Sequence, residues 1–208
     1  MAHESSTIER VAAGFETLSS KELGSYSVDG LIPKAAVIPE SLDEVSEIMR
    51  RVGEEGVSVT PWGGGTMMSL GRIPRRMDVV LLLRKLNRII EYAPEDLVVT
   101  VEAGIRLTDV QKILMGKKQF LPLDPPYDSS ATLGGITAAN SFGPRRFLYG
   151  GVRDLLLGVN VVHADGVQTE AGGKVMKNVA GYDIRRLYIG SLGTLGAIVQ
   201  TTFKVLPI

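Results

Sequence analysis

Pro61-Trp62-Gly63-Gly64-Gly65-Thr66-Met67-Met68-Ser69 is the stretch on which the reading of this chain turns. It leaves a short β-branched run, Val57 to Thr60, and places three glycines in a row at the strand exit. Without side chains in the way, their amides can point inward as a nest for an anion, and Thr66 and Ser69 add hydroxyl donors. A pyrophosphate suits such a loop; taken alone, the three glycines suit a flexible loop equally well. The third glycine of a Rossmann fingerprint is missing, because Met68 occupies its place. No glycine-rich segment ends in Gly-Lys-Ser or Gly-Lys-Thr, so the loop is not a Walker loop either.

Working upstream, Ala35 to Ile38 reads as a strand that ends at Pro39. Ser41 followed three residues later by Glu44 forms a capping-box pattern. Leu42, Val45, Ile48, Met49 and Val52 then recur at helical spacing up to Gly53. With Val79 to Leu83 as the next strand, the pattern predicts a small parallel βαβ lobe whose glycine-rich exit faces a ligand. Residues 1–24 read as a polar amphipathic helix leading in.

Downstream the pattern changes. Arg88 to Ala93 and Leu97 to Ala103 flank Pro94-Glu95-Asp96, a hairpin signal. Thr108 is placed to cap a helix through Met115, which Gly116 stops, and Pro122 to Pro126 reads as extended. Leu157 to Ala164 and Val167 to Ala171 flank Asp165-Gly166, the strongest short hairpin signal in the chain. Tyr182 to Ile189 reads as a helix with Asp183 as its cap, and Ala197 to Leu206 as a final strand. The fold class expected is therefore α+β: a small parallel lobe packed on a larger, mainly antiparallel sheet with helices. The expected division is a lead-in over 1–29 and one domain over 30–208, with lobes of about 30–87 and 88–208.

Composition narrows the function. Lys+Arg and Asp+Glu both number 23, so no charge excess points to nucleic acid or an anionic membrane; the zero balance favours life within an assembly. There is no cysteine, which excludes disulfides, iron–sulfur ligation, zinc–thiolate sites and cysteinyl nucleophiles within the chain. The apolar runs, Val11 to Phe15 and Val79 to Leu83, are too short for a signal-peptide core or a transmembrane segment, and a cytoplasmic setting fits.

Three further segments carry candidate ligand groups. Ser130-Ala131-Thr132-Leu133-Gly134-Gly135-Ile136-Thr137-Ala138-Ala139-Asn140 interleaves hydroxyls with glycines, and its small run reads as a helix turn aimed at the same ligand. A tightly packed helix N-terminus is the plainer alternative. Gly143-Pro144-Arg145-Arg146 and Tyr149-Gly150-Gly151-Val152-Arg153-Asp154 form a turn-rich basic segment. Lys174 to Asp183 and Gly190 to Ile198 close the set; physics alone names no ligand for them.

In this order, the segments resemble the FAD-binding domain shared by vanillyl-alcohol oxidase, p-cresol methylhydroxylase (the PCMH type) and the flavin-dependent D-lactate, D-2-hydroxyglutarate and glycolate dehydrogenases. The glycine loop is followed by Ala131-Thr132-Leu133-Gly134-Gly135, then Arg153-Asp154-Leu155-Leu156-Leu157-Gly158, then Ala164-Asp165-Gly166, then Gly190-Ser191-Leu192-Gly193-Thr194-Leu195-Gly196. Within that family, Lys174 to Asp183 and Leu192 look like the FAD-binding subunit of bacterial glycolate oxidase that stands beside its catalytic one; the catalytic relatives usually carry Glu where Leu192 stands.

The resemblance implies non-covalent FAD. Pro61, Trp62, Gly63, Gly64, Gly65, Thr66, Met67 and Ser69 would hold the pyrophosphate. Ser130, Thr132, Gly134, Gly135 and Asn140 would line the flavin and ribityl side, with Thr137 and Pro122 near them. Tyr149 and Gly150 would flank the cofactor, and Ile198 would meet the adenine end. His163 falls in the strand before Asp165-Gly166, so no histidine is placed for covalent attachment. Arg145, Arg146 and Lys177 are candidates to hold a substrate carboxylate, but no residue offers itself as a base. The implied function is an FAD-carrying subunit or domain of a glycolate- or D-lactate-type dehydrogenase, acting with a catalytic flavin subunit and an iron–sulfur subunit. The alternatives are a flavin-binding assembly module without chemistry of its own, and a domain that has lost FAD. No cap domain for a 2-hydroxy acid is expected within the chain. Gly64→Val is expected to abolish FAD binding while leaving the chain folded.

Overall fold

The computed structural model describes residues 2–173 and 183–208. Lys177 and most of the Lys174 to Asp183 segment lie outside the described residues. Three strands run parallel in the first sheet: β2 (Ala35–Ile38), β3 (Val59–Trp62) and β4 (Val79–Leu82). A two-residue strand, β1 (Glu16–Thr17), adds antiparallel to β2, giving the order β1-β2-β4-β3. β4 lies between two neighbours and every one of its residues is buried, as an unbroken Val-Val-Leu-Leu run demands. Proline is tolerated inside β3 because β3 forms the sheet edge.

The helices α1 (Ala2–Ala12) and α2 (Leu42–Glu55) cover one face of this sheet. Val45, Ile48, Met49 and Val52 of α2 are buried, and Gly56 closes the helix at φ 63° in the left-handed region. The Ser41 hydroxyl accepts from the Glu44 amide as the sequence predicts. The Glu44 carboxylate, however, accepts from the Glu40 amide rather than from Ser41, so the reciprocal half of the box is displaced by one residue. On the other sheet face, Trp62, Val80 and Leu82 pack with Leu23, Val28 and Met77.

The lead-in differs from the expectation of one helix over 1–24. α1 ends at Ala12, Gly14 turns the chain at φ 86°, and β1 follows. The Arg51 guanidinium donates to the Ala13 carbonyl at 2.7 Å, satisfying an acceptor beyond the helix end.

The second sheet is wholly antiparallel, in the order β5 (Ile89–Ala93), β6 (Val98–Glu102), β10 (Ala197–Lys204), β8 (Leu156–Val162), β9 (Gln168–Gly172). α3 (Leu107–Met115) and α4 (Leu133–Ala139) contribute to the core over Val99, Val101, Val159 and Phe203. β7 (Gln119–Phe120) pairs with β11 (Leu206–Pro207), and the short helices α5 (Arg146–Tyr149), α6 (Val152–Leu155) and α7 (Arg185–Tyr188) complete the chain. Two predicted caps are corrected. Arg106, not Thr108, occupies the N-cap of α3. Asp183 does not cap α7; its carboxylate pairs with Arg185 and Arg186 instead.

The two sheets meet through α2. A Cβ on Gly53 would fall 2.4 Å from the Ala164 carbonyl oxygen, and one on Gly166 would fall 2.6 Å from the Ser46 carbonyl oxygen. Both glycines therefore let the β8–β9 turn seat on the helix backbone. No helix among the described residues is long and apolar enough to cross a membrane.

Candidate functional site

A cleft of about 700 Å³ opens where β3 releases the glycine loop. Its walls are Pro61 to Met68, the segment Leu70 to Pro74 with Arg75 and Met77, the start of α4 with Thr132, Gly134 and Gly135, and Leu192, Gly193, Thr194 and Ile198. The volume lies in the range of small-molecule and cofactor sites. Parallel strands commonly present ligands at their carboxyl ends, and β3 does so here.

Packing explains the three glycines. A Cβ on Gly63 would sit 2.2 Å from the Thr132 hydroxyl oxygen, and one on Gly64 only 1.9 Å from the Ser130 carbonyl oxygen. Gly65 has φ 70°, and a Cβ there would meet the Trp62 ring nitrogen at 2.7 Å. The loop therefore lies flat against residues 130–132 and the indole. Among the described residues, no protein acceptor takes a hydrogen bond from the amides of Gly63, Gly64 or Gly65. They are half-buried or exposed donors on the cleft wall. Gly64→Val would therefore act on the fold as well as on a ligand, because its side chain would collide with the Ser130 backbone.

The start of α4 does not behave as the small-residue run suggested. Leu133 donates its amide to Ile105 O, Gly134 to Ala103 O at 2.8 Å, and Gly135 to the Thr132 hydroxyl at 3.3 Å. The helix N-terminus is thus occupied by the protein itself, and the undirected donors belong to the glycine loop. Gly134 permits this approach, since its Cβ would fall 2.6 Å from that of Ala103. Thr137 is fully buried and gives its hydroxyl to Leu133 O, while Asn140 ends the helix at φ 48°.

The structure gathers Pro61, Trp62, Gly63, Gly64, Gly65, Thr66, Met67, Thr132, Gly134, Gly135 and Ile198 around the cleft. Ser69, Pro122, Ser130, Thr137, Asn140, Tyr149 and Gly150 do not line it. Pro122 is buried, and Tyr149 belongs to a neighbouring cluster. There the Asp124 carboxylate accepts from the amides of Gly143 and Arg145, and Tyr149 meets Phe120 edge-on at 5.4 Å. Arg145 and Arg146 lie over the rings of Phe120 and Phe142, away from the cleft.

Sequence reasoning missed Arg72, Arg75, Gly193 and Thr194 as lining residues. The signal available was Arg72-Ile73-Pro74-Arg75, a basic stretch immediately after the glycine loop. Among the described residues no carboxylate and no histidine lines the cleft, and the charged groups on its wall are these two arginines. Leu192 adopts φ 54°, which is uncommon for a branched side chain, and donates its amide to Ala138 O at 2.8 Å. His163 stands behind this wall. Nδ1 donates to Leu195 O at 3.0 Å, and Nε2 lies within hydrogen-bond distance of the Thr169 and Tyr188 hydroxyls. No group of His, Asp or Glu among the described residues is arranged to hold a metal ion.

Next to the cleft floor, Asp78 fixes the strand entries. Burial pushes its carboxyl pKa up, but the Ser58 amide and hydroxyl and the Lys34 ammonium outweigh that and hold it below the usual carboxylate value.

A parallel-sheet exit carrying undirected glycine amides thus borders a cleft whose described lining holds no carboxylate. The model of the FAD binding domain family matches residues 33–172. Glycolate oxidase subunit GlcD of Bacillus subtilis is 38% identical over 176 residues, covering 85% of this chain and 37% of that protein. Glycolate oxidase subunit GlcE of Escherichia coli is 44% identical over 120 residues, covering 57% of this chain and 34% of that protein. Among solved structures, an alkyldihydroxyacetonephosphate synthase superposes with a TM-score of 0.74 at 25% identity, covering 86% of this chain and 32% of the other. The chain belongs to the FAD binding domain family, and FAD is its cofactor. It spans little more than a third of the length of the relatives it matches.

Proposed function

We propose that this chain is the FAD-carrying part of a dehydrogenase for small 2-hydroxy acids of the glycolate or D-lactate type. The observation that carries the reading is the glycine loop, whose three amides, free among the described residues, border a cleft that no described carboxylate lines. When bound, FAD supplies the hydride-accepting ring. The residues present fit it: Gly63, Gly64, Gly65 and Thr66 offer donors to the pyrophosphate, Thr132 and Gly135 edge the same cleft, and Ile198 closes it. Ser69, between the lining residues Met68 and Leu70, would stay with the pyrophosphate, and Ser130, Asn140, Pro122, Tyr149 and Gly150 would come into play beyond this cleft, along the flavin half of the cofactor. FAD is held without a covalent bond, because cysteine is absent and His163 is engaged with Leu195, Thr169 and Tyr188.

Among the described residues the cleft supplies no general base, since neither histidine nor carboxylate lines it. Completing the oxidation therefore falls to further domains or partner subunits, among them a second flavin subunit and an iron–sulfur subunit, in a cytoplasmic assembly. The names of the relatives support this, as GlcD and GlcE are both subunits of glycolate oxidase.

The test is anaerobic addition of glycolate or D-lactate to the FAD-loaded chain, alone and with its partner subunits, followed by visible absorption. Flavin bands that persist for the chain alone and bleach in the assembly are expected. Bands that persist in both would refute the dehydrogenase reading and favour an assembly module.

A further inference from the structure

FAD carries a dianionic pyrophosphate, whereas the glycine loop offers only neutral amides. The charge balance of the whole chain is zero, yet among the described residues the cleft wall bears two cations and no anion. Both cations lie in one segment, Leu70 to Met77, that borders the cleft opposite Leu192. The segment is anchored at each end. The Leu70 amide donates to Met67 O at 3.1 Å, and Met77 is buried with 4% exposure in the core beneath Trp62. Gly71 turns at φ 111°, and a Cβ there would touch the Leu192 side chain at 3.3 Å, so the segment reaches the far wall. Pro74 stiffens the backbone between the two arginines.

Solvated surface cations are the ordinary alternative, and Arg106 and Arg153, which among the described residues bind no carboxylate and do not line the cleft, fit it; Arg72 and Arg75 differ from them by lining the cleft. Arg10, Arg50, Arg51, Arg76, Arg88 and Arg185 each bind a carboxylate. Among the described residues Arg72 and Arg75 bind none, although Arg76 beside them reaches Asp78.

We propose that Arg72 and Arg75 form a cationic strap over the cleft that neutralises the pyrophosphate of FAD and sets the affinity for the cofactor. The proposal rests on the FAD reading above. Interactions of an arginine with a phosphate across a solvent-exposed wall are weakened by water and by salt, so each contributes modestly and the pair declines as salt rises.

The test is FAD titration of the full chain after cofactor removal, followed by flavin fluorescence at about 20 and about 300 mM KCl. Arg72→Gln and Arg75→Gln are each expected to weaken binding about fivefold at low salt, and the double variant about twentyfold. The unmodified chain loses affinity as salt rises, whereas the double variant is nearly salt-independent. Arg72→Lys/Arg75→Lys retains most of the affinity, and Lys117→Gln, an exposed cation that does not line the cleft, changes nothing. Unaltered FAD affinity in the double variant, or salt-independent binding by the unmodified chain, overturns the strap. Failure of the unmodified chain to take up FAD at all overturns the underlying reading and the strap with it.

Discussion

Gly64→Ala isolates what the glycine loop is for. The added methyl would sit 1.9 Å from the Ser130 carbonyl oxygen and 2.9 Å from its carbon. Neither atom belongs to a flexible side chain, so the loop or the 130–132 segment must move. Forcing a methyl into a packed contact costs about 1–3 kcal/mol. For a chain of this size, that lowers the melting temperature by about 3–10 °C. The loss should appear without any cofactor, in thermal unfolding followed by circular dichroism on flavin-free protein. Gly24→Ala is the matched control, because a Cβ there meets nothing within 4 Å. A melting temperature equal to that of the unmodified chain, combined with lost FAD binding, would refute the packing argument and return the glycine to a purely ligand-facing role.

Other substitutions probe the frame around the cleft. Asp78→Asn should destabilise by about 3 kcal/mol, because it leaves a buried site that was built around Lys34 and the Ser58 donors without its charge. The Asp78 carboxyl titrates below its ordinary 3.8 in the folded chain, so its stabilisation is present above that value and is lost as pH falls through the lower folded one. Denaturant titrations at several acidic pH values should therefore show a steeper loss for the unmodified chain than for Asp78→Asn. Ser41→Ala removes the α2 cap and should cost about 1 kcal/mol in the same assay, with FAD affinity intact. Leu192→Gly relieves a left-handed backbone position and should stabilise by up to about 1 kcal/mol, read as a higher melting temperature.

Much of this architecture was legible where the signal is local. The apolar spacing from Val45 to Val52, the Asp165-Gly166 turn and the unbroken Val79 to Leu82 run each encode an element through nearest neighbours. The α+β class follows from them. Less legible were features set by distant partners. The end of α1 depends on Arg51 reaching Ala13, and the cap position of α3 is not announced by Thr108. Nothing near Gly64 in the sequence reveals that Ser130 will lie against it. The same holds for the amides of α4, which read as ligand donors until Ile105 and Ala103 are seen to accept them. In the site, hydroxyls and glycines drew the reading toward the loop and α4, and the Arg72-Ile73-Pro74-Arg75 stretch drew none.

The most direct test of the account is the flavin content of the purified full chain after loading with FAD and gel filtration. One FAD per chain, released into the supernatant by acid precipitation, is the predicted result. A chain that emerges colourless after loading, or flavin that stays with the precipitate, would contradict a non-covalent FAD site in this cleft.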